Sequence, residues 1–262
     1  MRKRTDGPVP AVEAFIFDTD GVVTRTAVVH AGAWKQMFDE ELQARAEATG
    51  LAFGPMSDTD YLRDVDGKAR FDGVAAFLAS RGIELPYGEP DDPPERETVC
   101  GLGNRKNERF LEIVASNGVA PFESTLDLVR GLRAAGIRTA VVSASENAAA
   151  ILDAAGAGDL FEARVDGLDA RALGLPGKPD PALFLEAARR IGVAPAAAAV
   201  VEDALAGVEA GRRGSFGLVV GVDRGGQADE LTAHGADIVV PDLAFLDVDA
   251  DGRWSTRPRE SA

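Results

Sequence analysis

The chain has 262 residues, 45% hydrophobic and 27% charged, an ordinary globular composition with no run near the ~18–20 apolar residues of a helical membrane span. Its 28 basic against 43 acidic residues leave a net charge of −15, a field that disfavours nucleic acid and membrane partners. Cys100 is the single cysteine, which excludes an internal disulfide; with no secretory hydrophobic segment after the basic start MRKRTDGPVP, the expected compartment is the cytoplasm.

Beyond that polar leader, AVEAFIF (residues 11–17) has the length and apolarity of a buried strand, and Asp18-Thr19-Asp20-Gly21 ends it in a turn. About a hundred residues then pass before the next strand. That is far more than the ~10–12 of a crossover, so residues 25–121 are expected to form a separate unit. Within it, residues 28–48 are rich in helix formers and set Trp34, Met37, Phe38 and Leu42 on one face, with Trp34 as core. Residues 86–94 (PYGEPDDPP) read as a loop, and 104–114 as a helix with Phe110, Leu111 and Val114 as its stripe. The insertion is therefore read as a mainly helical cap.

The remainder alternates. A helix over 124–135, with Ser124 as N-cap and Gly136 as stop, leads into a strand at 137–142. Helices follow near 146–155, 181–191 and 204–210, interleaved with strands near 161–165, 198–201, 216–220 and 238–240. The tail after Asp249 is expected to fray. Continuous Val-rich strands alternating with helices predict an α/β fold, a doubly wound parallel sheet of Rossmann-like type, with a core of 1–24 plus 122–262 and a cap of 25–121.

Ligands bind such sheets beyond the carboxyl ends of the strands, where this chain places Asp18, Asp20, Ser143, Lys178, Glu202 and Asp203. Four carboxylates at one rim repel one another unless a cation joins them, and hard oxygen donors without a His or Cys cluster favour Mg²⁺. One carboxylate can then attack phosphorus while its neighbour moves protons. Taken singly, these residues have plainer readings: an Asx turn at Asp18 to Gly21, a cap or turn at Ser143, a solvated loop at Lys178, a helix cap at Glu202-Asp203. Their placement after successive strands outweighs those readings.

The segments FIFDTDGVVT, VVSAS, GKPDP and VVEDALAG resemble, in order and spacing, the four motifs of the haloacid dehalogenase superfamily of phosphotransferases. The cap segments TRTAVVHAGAW, GKAR and NRKN resemble its β-phosphoglucomutase-like branch. The resemblance spans almost the whole chain. It implies Asp18 as nucleophile, Asp20 as general acid–base with its backbone carbonyl on Mg²⁺, Ser143 and Lys178 on the transferring phosphoryl oxygens, Asp203 as a direct metal ligand and Glu202 as its support. In the cap it implies Arg70 on the far phosphate of a bisphosphorylated sugar, Lys106 and Asn107 on substrate oxygens, and Thr26 and His30 beside Asp20. Ala144, Ser145 and Asn147 belong to the stretch where the mutases carry SASKN.

Two positions depart from that pattern. Glu146 replaces the phosphate-gripping lysine and is expected to repel a second phosphate, and Arg25 stands where a hinge aspartate is usual. No G-x-x-x-x-G-K-[ST] or G-x-G-x-x-G motif is present, and the calcium-like DVDADG (247–252) would have Pro258 at its twelfth position. The resulting expectation is a Mg²⁺-dependent phosphotransferase acting on a phosphorylated sugar through an aspartyl-phosphate. A sugar hydroxyl as acceptor makes it a mutase, and water makes it a phosphatase. A noncatalytic sensor would need neither a nucleophile nor a proton shuttle.

Overall fold

A computed structural model of the protein describes residues 11–257, so the basic leader and Pro258 lie outside the described residues. β1 (Ala14–Asp18) is followed by the insertion, which comprises α1 (Ala27–Thr49), a one-turn α2 (Asp58–Asp60) running into a π-helical turn at Tyr61–Val65, α3 (Arg70–Ser80) and α4 (Val99–Asn117). The chain then alternates through α5 (Glu123–Ala134), β2 (Arg138–Val142), α6 (Ala148–Ala154), β3 (Ala163–Val165), α7 (Gly167–Leu173), α8 (Ala182–Arg190) and β4 (Ala198–Glu202). It closes with α9 (Leu205–Arg213), β5 (Leu218–Val222), α10 (Ala228–His234), β6 (Ile238–Val240) and a hairpin of β7 (Leu246–Val248) and β8 (Trp254–Thr256). Among the described residues no helix is long and apolar enough to cross a membrane.

The six-stranded sheet has the order β3-β2-β1-β4-β5-β6, parallel throughout. Every residue of β1, β4 and β5 is buried, because helices cover both faces. The two-residue period of β1 sends Phe15 and Phe17 into one apolar cluster, with Val129 and Leu132 of α5, and Ala14 and Ile16 into the other, with Leu183 and Phe184 of α8. The strand order reverses direction between β1 and β4, which opens a crevice at their carboxyl ends.

The insertion buries its own core of Trp34, Met37, Phe38, Phe77 and Leu102, with the Phe38 and Phe77 rings 3.9 Å apart. Its two connections to the sheet run side by side: Arg25 N–H donates to Ala120 O at 2.8 Å and Phe122 N–H to Val23 O at 2.9 Å. Arg25 makes a hinge contact of its own here. Its guanidinium lies 4.3 Å from the Phe122 ring centre, and that of Arg224 lies 3.6 Å from the same centre.

The structure corrects the sequence reading in three places. α5 starts at Glu123 and Phe122 takes the cap position with no side-chain bond, so Ser124 is not the N-cap. Residues 246–256 form a hairpin, so the part of the tail between Asp249 and Arg257 is ordered rather than frayed, and the rest of the tail lies outside the described residues. Asp249 accepts from the Asp251 and Arg253 N–H groups at 2.9 Å each, Arg257 pairs with Asp247, and Trp254 packs on the core. The residues that look like a calcium loop therefore form a β-turn network. α3, α7 and α10 add helices to those anticipated.

Candidate active site

Parallel register sets Asp18 opposite Val142 and Phe17 opposite Val201, so the tips of β1, β2 and β4 are level and the residues just past them share one rim. Lys178, from the loop between α7 and α8, enters this rim from the side. Its Nζ lies 2.5 Å from Asp18 Oδ1 and also bonds to Glu202 Oε1. Burial pushes the Lys178 ammonium down, but the Asp18 and Glu202 charges outweigh burial and hold its pKa above the usual lysine range. Glu202 accepts in addition from Ala204 N–H at 2.7 Å, which fixes its carboxylate.

Asp18, Glu202 and Asp203 are buried, and each offers an oxygen within 4.8 Å of the others. Burial raises the carboxyl pKa of both Asp18 and Asp203 well above the usual range. Glu202 adds to this in each case, and Lys178 opposes it. Three carboxylates facing one ammonium suit a hard divalent cation, which would relieve the repulsion that otherwise favours a bound proton. Glycines make the close approach possible. A Cβ on Gly207 would stand 1.7 Å from Glu202 Oε1, and one on Gly21 1.8 Å from Asp203 Oδ2.

The Asp20 side chain turns away from this trio. Ser143 Oγ donates to its Oδ2 at 3.3 Å, Thr26 Oγ1 donates to its Oδ1, and His30 Nε2 stands 3.3 Å from Oδ1. Lys106 Nζ is 2.6 Å from His30 Nδ1. In the arrangement where Lys106 donates, Nδ1 accepts and the ring proton of a neutral imidazole faces Asp20. Burial works against ionising Asp20, but His30, the Thr26 hydroxyl and Lys106 together hold its carboxyl well below the usual range. Burial pushes Lys106 down to about 7 and also lowers His30, with the Lys106 charge assisting. Lys106 lies over Trp34 and Phe110, 4.8 and 5.0 Å from the ring centres, which dries this relay.

The cap closes over the rim and leaves a cavity of about 420 Å³, within the ~300–1,000 Å³ of small-ligand sites. Asp18, Asp20 and Asp203 line it together with Arg70, Glu146 and Arg171. Arg70 donates to Asn104 Oδ1 at 2.8 Å and to Glu146 Oε2 at 3.0 Å, while Arg171 bonds to Glu146 Oε1. Glu146 is thus shared between two guanidiniums rather than presented as a free negative charge, contrary to the expectation of simple repulsion. His30, Lys106, Asn107, Ala144 and Ser145 also line the cavity. Thr26 reaches it through Asp20, Ser143 lies behind Asp20, and Asn147 donates to Asn107 Oδ1 at 2.8 Å, joining core to cap.

Tyr61, Asp66 and Arg171 are among the cavity residues that the sequence motifs leave out. Burial pushes the Asp66 carboxyl up to about 6, against a Tyr61 hydrogen bond, and both residues line the cap side of the cavity. Arg171 lies on α7, whose start carries the one available signal: Asp166 accepts from Asp169 N–H while Asp169 accepts from Asp166 N–H, a reciprocal cap.

Residues 12–214 match the haloacid dehalogenase-like hydrolase family. A β-phosphoglucomutase of Mycobacterium bovis is 49% identical over 250 residues, 94% of this chain and 95% of that protein. One from Bacillus subtilis is 31% identical over 235 residues, 90% of this chain and 92% of that protein. The crystal structure of β-phosphoglucomutase from Clostridium difficile superposes with a TM-score of 0.68 at 26% identity, over 89% of this chain and 92% of that one.

Proposed function

The chain belongs to the haloacid dehalogenase-like hydrolase family, and from that premise we propose that it is a Mg²⁺-dependent phosphotransferase of β-phosphoglucomutase type. Its substrate is a phosphorylated sugar, and its intermediate an aspartyl-phosphate on Asp18. The observation that carries this reading is the position of Asp18, at the end of the central strand, 2.5 Å from the Lys178 ammonium and within the carboxylate trio.

Asp18 and Asp203 would hold the metal, with Glu202 in support and the Asp20 backbone carbonyl as a further ligand. When bound, the ion supplies positive charge to the transferring phosphoryl group and keeps Asp18 ionised. Asp18 attacks phosphorus, the P–O bond to the sugar breaks, and Lys178 stabilises the oxygens that carry charge. Asp20, held ionised by its neighbours, takes the proton of the hydroxyl that later attacks phospho-Asp18. It returns that proton to the sugar oxygen released when Asp18 is recharged. The closed cap excludes water from both steps.

Water as acceptor would instead make the enzyme a phosphatase. A free negative charge at Glu146 would favour water by repelling a second phosphate, but that carboxylate is shared by Arg70 and Arg171. The test is incubation of β-glucose 1-phosphate with a trace of the 1,6-bisphosphate and Mg²⁺, followed by phosphorus NMR. Glucose 6-phosphate is the expected product. Inorganic phosphate would identify the phosphatase, and turnover retained by Asp18→Asn would overturn the aspartyl-phosphate.

A further inference from the structure

We infer that Arg171, outside every motif of the chain, acts with Arg70 to recognise the anionic group at the non-reacting end of the sugar phosphate. Glu146 holds the two guanidiniums in register until that group displaces it. The inference deepens the proposed function and rests on it.

Three observations carry it. Arg70 comes from the cap and Arg171 from the core helix α7, and each bonds to a different oxygen of the one Glu146 carboxylate. Their spacing is therefore already that of a two-oxygen anion. All three side chains line the same cavity as Asp18 and Asp203. One carboxylate between two guanidiniums leaves a net positive charge, which a phosphate group of about −1.5 to −2 neutralises more fully. The positive excess is felt locally, since burial and then the nearby Arg171 push Arg70 down to about 10.

The packing around the trio is built for this arrangement. A Cβ on Gly167 would stand 2.8 Å from the Glu146 nitrogen and 3.0 Å from its Cγ, so the glycine lets the loop carrying Glu146 lie against the start of α7. Gly167 N–H also donates to Ser145 O at 3.1 Å. Across the cavity, a Cβ on Gly103 would meet Phe71 at 2.8 Å and the Arg70 Cδ at 3.2 Å, so its absence gives the Arg70 stem its path along α4. Glu146 thus occupies the place of the missing lysine without abolishing positive charge there; Arg171 supplies it from another helix.

The chemistry predicts opposite effects for the two partners. Arg171→Gln is expected to lower the ratio of kcat/KM for β-glucose 1,6-bisphosphate over that for 4-nitrophenyl phosphate at least tenfold, chiefly through KM. Arg171→Lys, which keeps the charge and loses the fork, should recover part of that ratio. Glu146→Gln removes the competing charge and should lower KM for the bisphosphate at least threefold without raising kcat. A ratio within twofold of the parent in Arg171→Gln, or a tenfold rise of KM in Glu146→Gln, would overturn the inference. Calorimetric binding of the bisphosphate to the same variants, in the presence of Mg²⁺, reads the arginine pair even where turnover is absent. Failure of the unaltered enzyme to process any sugar phosphate would therefore count against the proposed function, and unchanged bisphosphate affinity in Arg171→Gln against this inference.

Discussion

A Cβ atom on Gly21 would stand 1.8 Å from Asp203 Oδ2, and the glycine also holds a φ of +89°, where L side chains are rarely found. Gly21→Ala therefore both strains the turn and drives the Asp203 carboxylate out of its place. We expect the apparent magnesium affinity to fall about 10–100-fold, the range found when the support of a metal ligand is lost. Gly50→Ala is the control: φ is +72° there with open space around it, so it should cost stability and leave the magnesium dependence of turnover unchanged. Magnesium titrations of phosphoryl transfer on both variants decide it.

Asp203 is expected to trade stability for function. Burial and the neighbouring carboxylates raise its pKa, so its ionised form destabilises the metal-free fold at neutral pH. Metal-free Asp203→Asn should melt above the metal-free parent. Magnesium at about a hundred times its dissociation constant should raise the parent by roughly 5–10 °C, from about 2.7 kcal/mol of binding linkage, and leave the variant nearly unmoved. Paired thermal melts with and without EDTA test both halves.

Phe122 is buried between the Arg25 and Arg224 guanidiniums at the point where both cap connections meet the sheet. Phe122→Ala should cost about 3–5 kcal/mol from lost packing, lowering the melting temperature by roughly 10 °C. Phe122→Leu keeps a large apolar side chain and loses the two cation–π contacts, each ~0.5–1 kcal/mol at such sites. It should melt within a few degrees of the parent yet show a raised KM, because the hinge no longer fixes the cap. Equal KM values for Phe122→Leu and the parent would show that the stack supports the fold alone.

Acid sensitivity should come partly from carboxylates far from the cavity. Ser57 N–H and hydroxyl, with Arg81, hold Asp60 down to about 2, and Arg189 with Arg190 hold Glu186 down to about 2. Both pKa values lie below those of the unfolded chain, ~3.9 for Asp and ~4.3 for Glu. The stabilisation is therefore complete above about pH 4–4.5 and disappears as pH falls through about 2. Melts of Asp60→Asn against the parent should differ at pH 6 and converge by pH 2. A difference that persists at pH 2 would assign the effect to packing instead.

The polar rim is legible in the sequence because parallel strands deliver whatever follows them to one edge: Asp18, Ser143 and Glu202-Asp203 each lie one step past an apolar run. Asp20 lines the same cavity, and its side chain turns to Ser143, Thr26 and His30, a direction that strand spacing alone does not encode. α7 escaped because its seven residues leave Leu168 and Leu173 about half exposed, so no apolar stripe marks it. With α7 went Arg171, and with Arg171 the partner that neutralises Glu146. α3 did carry a stripe, in Val74, Phe77 and Leu78, but a glycine inside it and the neighbouring π-helical turn break the local signal. The hairpin after Phe245 was hidden because its turn is built from aspartates, a composition shared by loops and metal sites.

Lid and base meet closely one residue beyond Asp203, where a Cβ on Gly67 would come within 2.9 Å of the Ala204 Cβ. Any larger residue at 67 would act as a wedge in a door jamb, propping the chamber ajar whatever sugar it held. Gly177 lies as bare on the other side of the seam, where a Cβ would come within 3.2 Å of the Asp72 carboxylate, so the latch clicks shut on two squares of naked backbone.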